Sequence, residues 1–187
     1  MPRADDNALP VTVPRNARPL VPVAADRVRR LRERLVQALR EARELRRTAT
    51  PRTRTSRPPE PDGFAAQVAR TACELCEGWC CRNGGDEAYL DGHTVARVRR
   101  KMPDLDAGAV VRLYANRVPA VAYEGSCIFH GAKGCTLDRS LRADICNTYY
   151  CKGLTAYFRN RRRDSPRVVL AGKGGEMRSS PVLVPRP

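Results

Sequence analysis

Eight cysteines, all within one stretch, constrain this chain more than any other feature of its sequence. Four lie within nine residues, CELCEGWCC, and four follow after a long spacer. Thiolates are soft ligands that bind Zn, Cu(I) and iron–sulfur clusters, so all eight are candidate metal ligands. They are Cys73, Cys76, Cys80, Cys81, Cys127, Cys135, Cys146 and Cys151.

Disulfide bonds are the main alternative for these cysteines. The first residues, MPRADDNALPVTVPRN, are interrupted by proline and arginine and contain no continuous apolar segment of a secretion signal. No stretch of the sequence reaches the length of a membrane span. We therefore expect a cytoplasmic protein, in which thiols stay reduced and metal binding is favoured over disulfides.

The aromatic residues mark the same part of the chain as the cysteines. All ten Phe, Trp and Tyr residues lie between Phe64 and Phe158. Aromatic side chains supply much of the buried area of a core. We therefore predict a cysteine-cluster metal-binding domain at residues 62–160. Its fold class is a small α-rich domain, α+β or irregular, that is stapled by metal because its core is small.

The two flanks are rich in proline and arginine and contain no aromatic residue. Such composition predicts disorder, because little apolar surface is available for burial. We expect residues 1–61 to form a disordered arm that contains one helix at about 26–47 and a stiff linker at 48–61. We expect residues 161–187 to form a basic, mostly disordered tail.

The predicted helix at 26–47 is amphipathic. Its apolar residues follow a 3-4-3-4-3 spacing, with Asp26 as a candidate N-cap. Such a seam packs against its own domain or binds an unknown protein partner or a membrane surface, and the sequence leaves these alternatives open. The seam consists of Val28, Leu31, Leu35, Ala38, Ala42 and Leu45.

Shorter patterns predict the remaining elements. The clearest signal is Asp106, which is placed to cap a helix over 107–117. The others are a helix after Phe64, a helix at 92–102, a strand in VPAVAYEG (118–125) and a late edge strand in RVVLAG (167–172).

The formal net charge of +15 suggests a polyanionic partner. The excess lies on the flanks, where residues 1–61 carry 15 Lys and Arg against 7 Asp and Glu. Nucleic-acid binding through the helix at 27–47 and the RNRRR run at 159–163 is therefore an alternative function. We do not favour it, because the helix also carries acidic residues and the flanks lack aromatic side chains for base stacking.

The adjacent pair Cys80 and Cys81 limits how the ligands divide. Neighbouring side chains point in different directions in both strands and helices, so the two rarely reach one ion together. We expect at least one of them to join the later cysteines. The division of the eight cysteines stays open. His130, three residues after Cys127, is either a further ligand or a surface turn residue.

The order and spacing of these motifs resemble the bacterial cysteine-cluster family named after YkgJ, which is described as a candidate zinc- or iron-chelating domain. The resemblance covers about residues 70–152 and rests on CELCEGWCC, CIF at 127–129, GCTLD at 134–138 and RADIC at 142–146. This chain has Ile128 and Ala143 where the family usually has proline. The cluster cysteines that the resemblance implies are Cys73, Cys76, Cys80, Cys81, Cys127, Cys135 and Cys146, with Cys151 less firmly included.

The predicted function is metal binding without an assigned biological role. We favour a [4Fe–4S] cluster over zinc, because adjacent cysteines fit the wider span of a cluster. One alternative is a nucleic-acid-binding protein with a structural zinc domain. Another is a methylase-like enzyme, because larger proteins with a similar cluster resemble protein lysine methylases. The sequence offers no acid, base or nucleophile constellation, and AGKGG at 171–175 lacks P-loop spacing, so we favour a non-catalytic protein.

Overall fold

The computed structural model describes residues 7–48, 61–162 and 164–186. In this part of the chain there are six α-helices and seven short strands. The helices are α1 (Ala25–Arg47), α2 (Gly63–Cys76), α3 (Gly92–Lys101), α4 (Ala107–Ala115), α5 (Asp144–Thr148) and α6 (Lys152–Arg159). The strands are β1 (Leu9–Pro14), β2 (Leu20–Pro22), β3 (Val121–Tyr123), β4 (His130–Gly131), β5 (Gly134–Cys135), β6 (Arg167–Lys173) and β7 (Glu176–Ser179).

The chain forms two compact units. Unit 1 consists of the described parts of Met1–Ala17, Pro58–Cys80 and Tyr150–Pro187. Unit 2 consists of the described parts of Arg18–Arg57 and Cys81–Tyr149. The architecture is a small mixed α/β fold, so the expected combination of helices with some β structure is present.

Unit 1 is built on a three-stranded sheet in the order β1-β6-β7. Strand β1 is parallel to β6, and β7 is antiparallel to it. Alternate residues of a strand share one face, and here Val11, Val13, Val169 and Ala171 are buried together with residues of α2 and α6. Helix α6 approaches β1 so closely that a Cβ on Gly153 would collide with the Thr12 carbonyl oxygen.

The prediction of disordered flanks is wrong for β1, β2 and β7, whereas β6 confirms the strand predicted at 167–172. Strands β1 and β6 gain hydrogen bonds by pairing with each other, as in the register of Val11 with Val169, and gain apolar burial against α2 and α6. Pro10 and Pro14 are tolerated because β1 is an edge strand. Strand β6, which was expected at an edge, is central because it pairs on both sides.

Unit 2 is a helical core formed by α1, α3 and α4, with two small two-stranded sheets, β2-β3 and β4-β5. Its buried residues include Leu35, Val95 and Phe129. Tyr114 is fully buried, and its hydroxyl donates a hydrogen bond to the Leu141 carbonyl oxygen at 2.7 Å. Helices α3 and α4 therefore belong to the core of unit 2.

Helix α1 packs within its own unit. The buried part of its seam is Leu31, Leu35, Ala38 and Ala42, joined by Leu39. The idea of a partner bound through this seam is therefore wrong, because α3 and α4 cover it. The N-cap position is Ala24, which makes no side-chain cap, and Asp26 lies in the first turn instead.

Two helix starts are capped by aspartate. The Asp106 carboxylate accepts a hydrogen bond from the Ala109 backbone N–H at 2.6 Å, which confirms the predicted cap of α4. Asp91 caps α3 in the same way, through the Thr94 N–H at 2.8 Å.

The linker predicted at 48–61 lies outside the described residues, apart from its first and last positions. Among the helices that the structure does describe, none has both the length and the apolar character needed to cross a bilayer.

Asp86 connects α1 to the chain that follows the first cysteine group. Its carboxylate accepts hydrogen bonds from Arg27 Nε at 2.5 Å and Arg30 Nε at 2.7 Å. Burial alone would raise the pKa of Asp86, but the hydrogen bonds and charges of Arg27 and Arg30 outweigh it and hold the pKa below its ordinary value of 3.8. Because folding lowers the pKa of this carboxyl, the ionised Asp86 stabilises the fold at pH values above 3.8. This stabilisation is lost as the pH falls through the folded-state pKa.

We expect Asp86→Asn to lower the free energy of unfolding at pH 7 by about 1 kcal/mol, because Arg30 is half-exposed and its ion pair is partly screened. Urea unfolding of variant and wild type should converge as the pH falls through the folded-state pKa of Asp86, which lies below 3.8, because the carboxyl of the folded wild type is protonated only there. Asp26→Asn is the matched control, since its pair with Arg29 is exposed and long at 3.4 Å. An equal loss in both variants would contradict this account.

Candidate metal centre

The eight cysteines are divided equally between the two units. One of the points at which the chain passes from one unit to the other is the peptide bond that joins Cys80 to Cys81. Set A, in unit 1, consists of Cys73, Cys76, Cys80 and Cys151. Set B, in unit 2, consists of Cys81, Cys127, Cys135 and Cys146. Each unit therefore carries the number of thiols that one four-thiolate centre requires.

The end of α2 positions the first members of set A. Cys73 and Cys76 are three residues apart on the helix, so they share one face. Helix α2 ends at Cys76 because Glu77 adopts a left-handed conformation with φ 52°. Cys80 follows in the 3-10 helix Trp79–Asn83, and Cys151 occupies the N-cap position of α6.

Cys76 is the buried member of set A. Burial raises the pKa of its thiol to about 12, although a hydrogen bond from the Trp79 backbone N–H to the sulfur acts in the opposite direction. The charges of Cys80, Cys73 and Cys151 raise the pKa further. All three remaining thiols of set A are therefore near enough to Cys76 to interact with it electrostatically.

Backbone hydrogen bonds connect Cys81 to Cys127 in set B. The Cys81 carbonyl oxygen accepts from the Cys127 N–H at 2.9 Å and from the Ser126 hydroxyl at 3.0 Å. Gly84 packs directly on Cys127, since a Cβ on this glycine would lie 2.7 Å from the Cys127 Cβ and 3.2 Å from its sulfur. The other members of set B are Cys135 on β5 and Cys146 on α5.

Cys127 is the buried member of set B. Burial raises the pKa of its thiol to about 12, and a hydrogen bond from the Phe129 backbone N–H lowers it. The charges of Cys135 and Cys146 raise the pKa, and that of Arg27 lowers it. Cys127 thus resembles Cys76 in having a buried sulfur, a backbone N–H donor and other thiols of its own set nearby.

All eight cysteines are free thiols. Across residues 7–48, 61–162 and 164–186, no group of three or more His, Cys, Asp or Glu side chains is arranged so that it could hold a metal ion as it stands. Cys73, Cys80 and Cys146 are exposed, whereas their set partners Cys76 and Cys127 are buried. The eight sulfur atoms therefore suit a thiophilic metal in their chemistry and in their number. Their side chains do not converge on a common point.

His130 is a core residue. It is fully buried, its Nδ1 lies 2.7 Å from the Ser126 hydroxyl, and its ring centroid lies 4.5 Å from that of Tyr123. The expectation of a surface turn residue is therefore wrong. The hydrogen bond to Ser126 occupies one ring nitrogen and helps to hold the segment that carries Cys127.

The glycine-rich AGKGG segment belongs to a β-hairpin. Ala171, Gly172 and Lys173 are in β6, and Gly174 and Gly175 form the turn with φ values of 57° and 91°. Only the last two residues of the segment therefore lie outside the strands. Both strands of the hairpin belong to the sheet of unit 1, which is not the strand–loop–helix arrangement of a P-loop.

We expect alkylation of the reduced, metal-free protein to separate the buried thiols from the exposed ones. At pH 8, Cys73, Cys80 and Cys146 should react first with iodoacetamide, and Cys76 and Cys127 should react at least about tenfold more slowly, because only an accessible thiolate is nucleophilic. Peptide mass spectrometry over a time course measures each rate. Equal rates for Cys76 and Cys73 would contradict the burial described here.

Comparison with protein-family models, with curated proteins and with solved structures found no match for this chain. Its function has to be argued from its own residues.

Proposed function

We propose that the protein binds two thiolate-ligated metal centres, one through set A and one through set B. The observation that carries this proposal is the equal division of the cysteines, with a unit boundary between Cys80 and Cys81. Four cysteines are the ligand set of a structural zinc site and also of a [4Fe–4S] cluster.

The environment of the two buried sulfurs supports the proposal. The backbone N–H of Trp79 donates to Cys76, and that of Phe129 donates to Cys127. Hydrogen bonds to the charged form stabilise a thiolate, which is the form that binds metal. In the absence of metal, burial opposes this charge. A cation bound to each set would neutralise it and draw the exposed members of the set towards the buried one.

The choice between zinc and a cluster depends on the adjacent cysteines. The sequence argument for a cluster is that the adjacent Cys80 and Cys81 fit the wider span of a cluster better than one small ion. Since the two residues belong to different units, that reason no longer applies. Zinc and [4Fe–4S] are therefore both retained, and they share the chemistry of four thiolate ligands. Zinc would be redox-inert, whereas a cluster would supply electron-transfer chemistry.

The role that follows is stabilisation of each unit. Four protein ligands leave no open position on a zinc ion for substrate, which characterises structural sites. Small units with limited cores gain folding free energy from metal. A cytoplasmic location, where the thiols stay reduced, and membership of the YkgJ-type family belong to the same proposal. The order of the cysteine motifs supports the family proposal.

Metal and sulfide analysis of anaerobically purified full-length protein tests the proposal. Two equivalents of zinc in a colourless protein, or iron with acid-labile sulfide in a brown one, is the expected result. Where the purified protein has lost its metal, titration with Co²⁺ should give a sulfur-to-cobalt charge-transfer band that saturates at two equivalents. A protein that holds no metal after purification and binds none in the titration would overturn the proposal.

A further inference from the structure

Helix α1 has an exposed, arginine-rich face that takes no part in the buried core of unit 2. Its leucines point into unit 2, and most of its other side chains are exposed. Five of its arginines form ion pairs with Asp26, Glu33, Glu41, Glu44 or Asp86; they are Arg27, Arg29, Arg30, Arg34 and Arg47. In the described part of the chain no carboxylate lies within ion-pair distance of the other four. These are Arg32, Arg40, Arg43 and Arg46, which we call the arginine row.

The arginine row lies along one side of α1. Arg32 and Arg43 are eleven residues apart, which is about three helical turns and about 17 Å, so they occupy nearly the same angular position. Arg40 and Arg46 flank this line on either side. All four side chains are exposed. The row is therefore a strip of positive charge with no carboxylate partner among the described residues, and it borders the buried face of the same helix.

We propose that the arginine row binds the sugar–phosphate backbone of double-stranded nucleic acid. A duplex carries about one negative charge per 1.7 Å of its axis, so about twelve phosphates lie along the roughly 21 Å from Arg32 to Arg46. A guanidinium binds phosphate with two parallel hydrogen bonds, which suits a regularly spaced backbone. The contact would recognise the charge and the spacing of the phosphates rather than the base sequence.

An anionic membrane surface is the other polyanion that such a row could meet, and α1 is poorly suited to it. An interfacial helix buries an apolar face among the lipid headgroups. The apolar face of α1 is already buried within unit 2. Val36 is the one large apolar residue among the exposed side chains of α1, with 43% of its surface accessible. The duplex is therefore the better fit.

The surface is separate from the proposed metal chemistry. None of the four arginines is adjacent in sequence to a cysteine, and the metal proposal does not depend on them. Removing their charge should leave metal content unchanged. The two proposals can therefore fail independently.

The test uses full-length protein as purified and a fluorescein-labelled duplex of about 25 base pairs, in DNA and RNA forms, with binding followed by anisotropy between about 50 and 200 mM salt. The variant is the triple substitution Arg32→Gln, Arg40→Gln, Arg43→Gln. The matched control is Arg100→Gln, Lys101→Gln, Arg112→Gln, which removes the same charge from exposed positions of α3 and α4 in the same unit.

We expect wild type to bind the duplex, with the logarithm of its affinity falling linearly with the logarithm of the salt concentration. The magnitude of this slope should decrease by about 3 in the arginine-row variant and by at most about 1 in the control. Affinity at about 50 mM salt should fall at least tenfold in the arginine-row variant alone. Equal losses in the two variants would show a general charge effect and overturn the proposal. So would absence of duplex binding at this salt concentration, or binding to phosphatidylserine vesicles without binding to the duplex.

Discussion

Replacing Cys76 with serine is expected to remove one metal centre and to leave the other. Serine is a much weaker ligand for soft metals, and Cys76 is the buried sulfur of set A. Loss of a structural metal removes its contribution to folding, which reaches about 10 kcal/mol in zinc-dependent domains. Hydrogen exchange measured by mass spectrometry should therefore accelerate in α2 and α6 of unit 1 and stay unchanged in α1 and α3 of unit 2.

Cys127→Ser is the matched variant for set B. It should produce the reverse pattern, with loss of the other centre and faster exchange in α1 and α3. Metal content measured on the same samples should fall from two equivalents to one in each variant. Loss of both centres from either single substitution would mean that the two sets are not separate.

Gly84→Ala is expected to destabilise unit 2 and to weaken metal binding by set B. The new Cβ would lie 2.7 Å from the Cys127 Cβ, so the buried cysteine or the loop must move. Overpacking of this kind typically costs about 1–3 kcal/mol. A competition titration with a chromophoric chelator should show at least about tenfold weaker binding at one of two centres, which is about 1.4 kcal/mol.

Gly108→Ala is the matched control for this prediction. The substitution is the same and lies in the same unit, but the nearest atom to the new Cβ is the mobile end of the Arg112 side chain at 3.1 Å. Alanine is also favoured over glycine within a helix by about 1 kcal/mol. Its stability should therefore equal or exceed that of wild type. A Gly84→Ala protein with unchanged stability and unchanged metal affinity would contradict the described contact.

Sequence reasoning works where the signal is local. The cap of α4 follows from Asp106 at the start of an apolar helical pattern, and the seam of α1 follows from its 3-4 spacing. Strand β1 carries only two buried valines between prolines, and its partner lies more than 150 residues away. A parallel pairing between two proline- and arginine-rich flanks leaves no local signal, so the flanks were expected to be disordered.

The same contrast applies to the cysteines. The C-x2-C spacing places Cys73 and Cys76 together, because three residues along a helix form a local relationship. Cys151 lies in the same unit because α6 packs against β1 and α2. The spacing of the cysteines along the sequence does not indicate this packing. The sequence indicates that Cys80 and Cys81 belong to different ligand sets, because neighbouring side chains point in different directions. The fold is needed to assign Cys80 to set A and Cys81 to set B.

Metal stoichiometry of the adjacent-cysteine variants tests the central claim most directly. Native mass spectrometry would be applied to Cys80→Ser, to Cys81→Ser and to the double variant, each loaded with metal under the same conditions. If set A and set B are separate centres, each single variant retains one centre and the double variant retains none. A double variant that still retains one centre would show that Cys80 and Cys81 serve the same site, and would contradict the account.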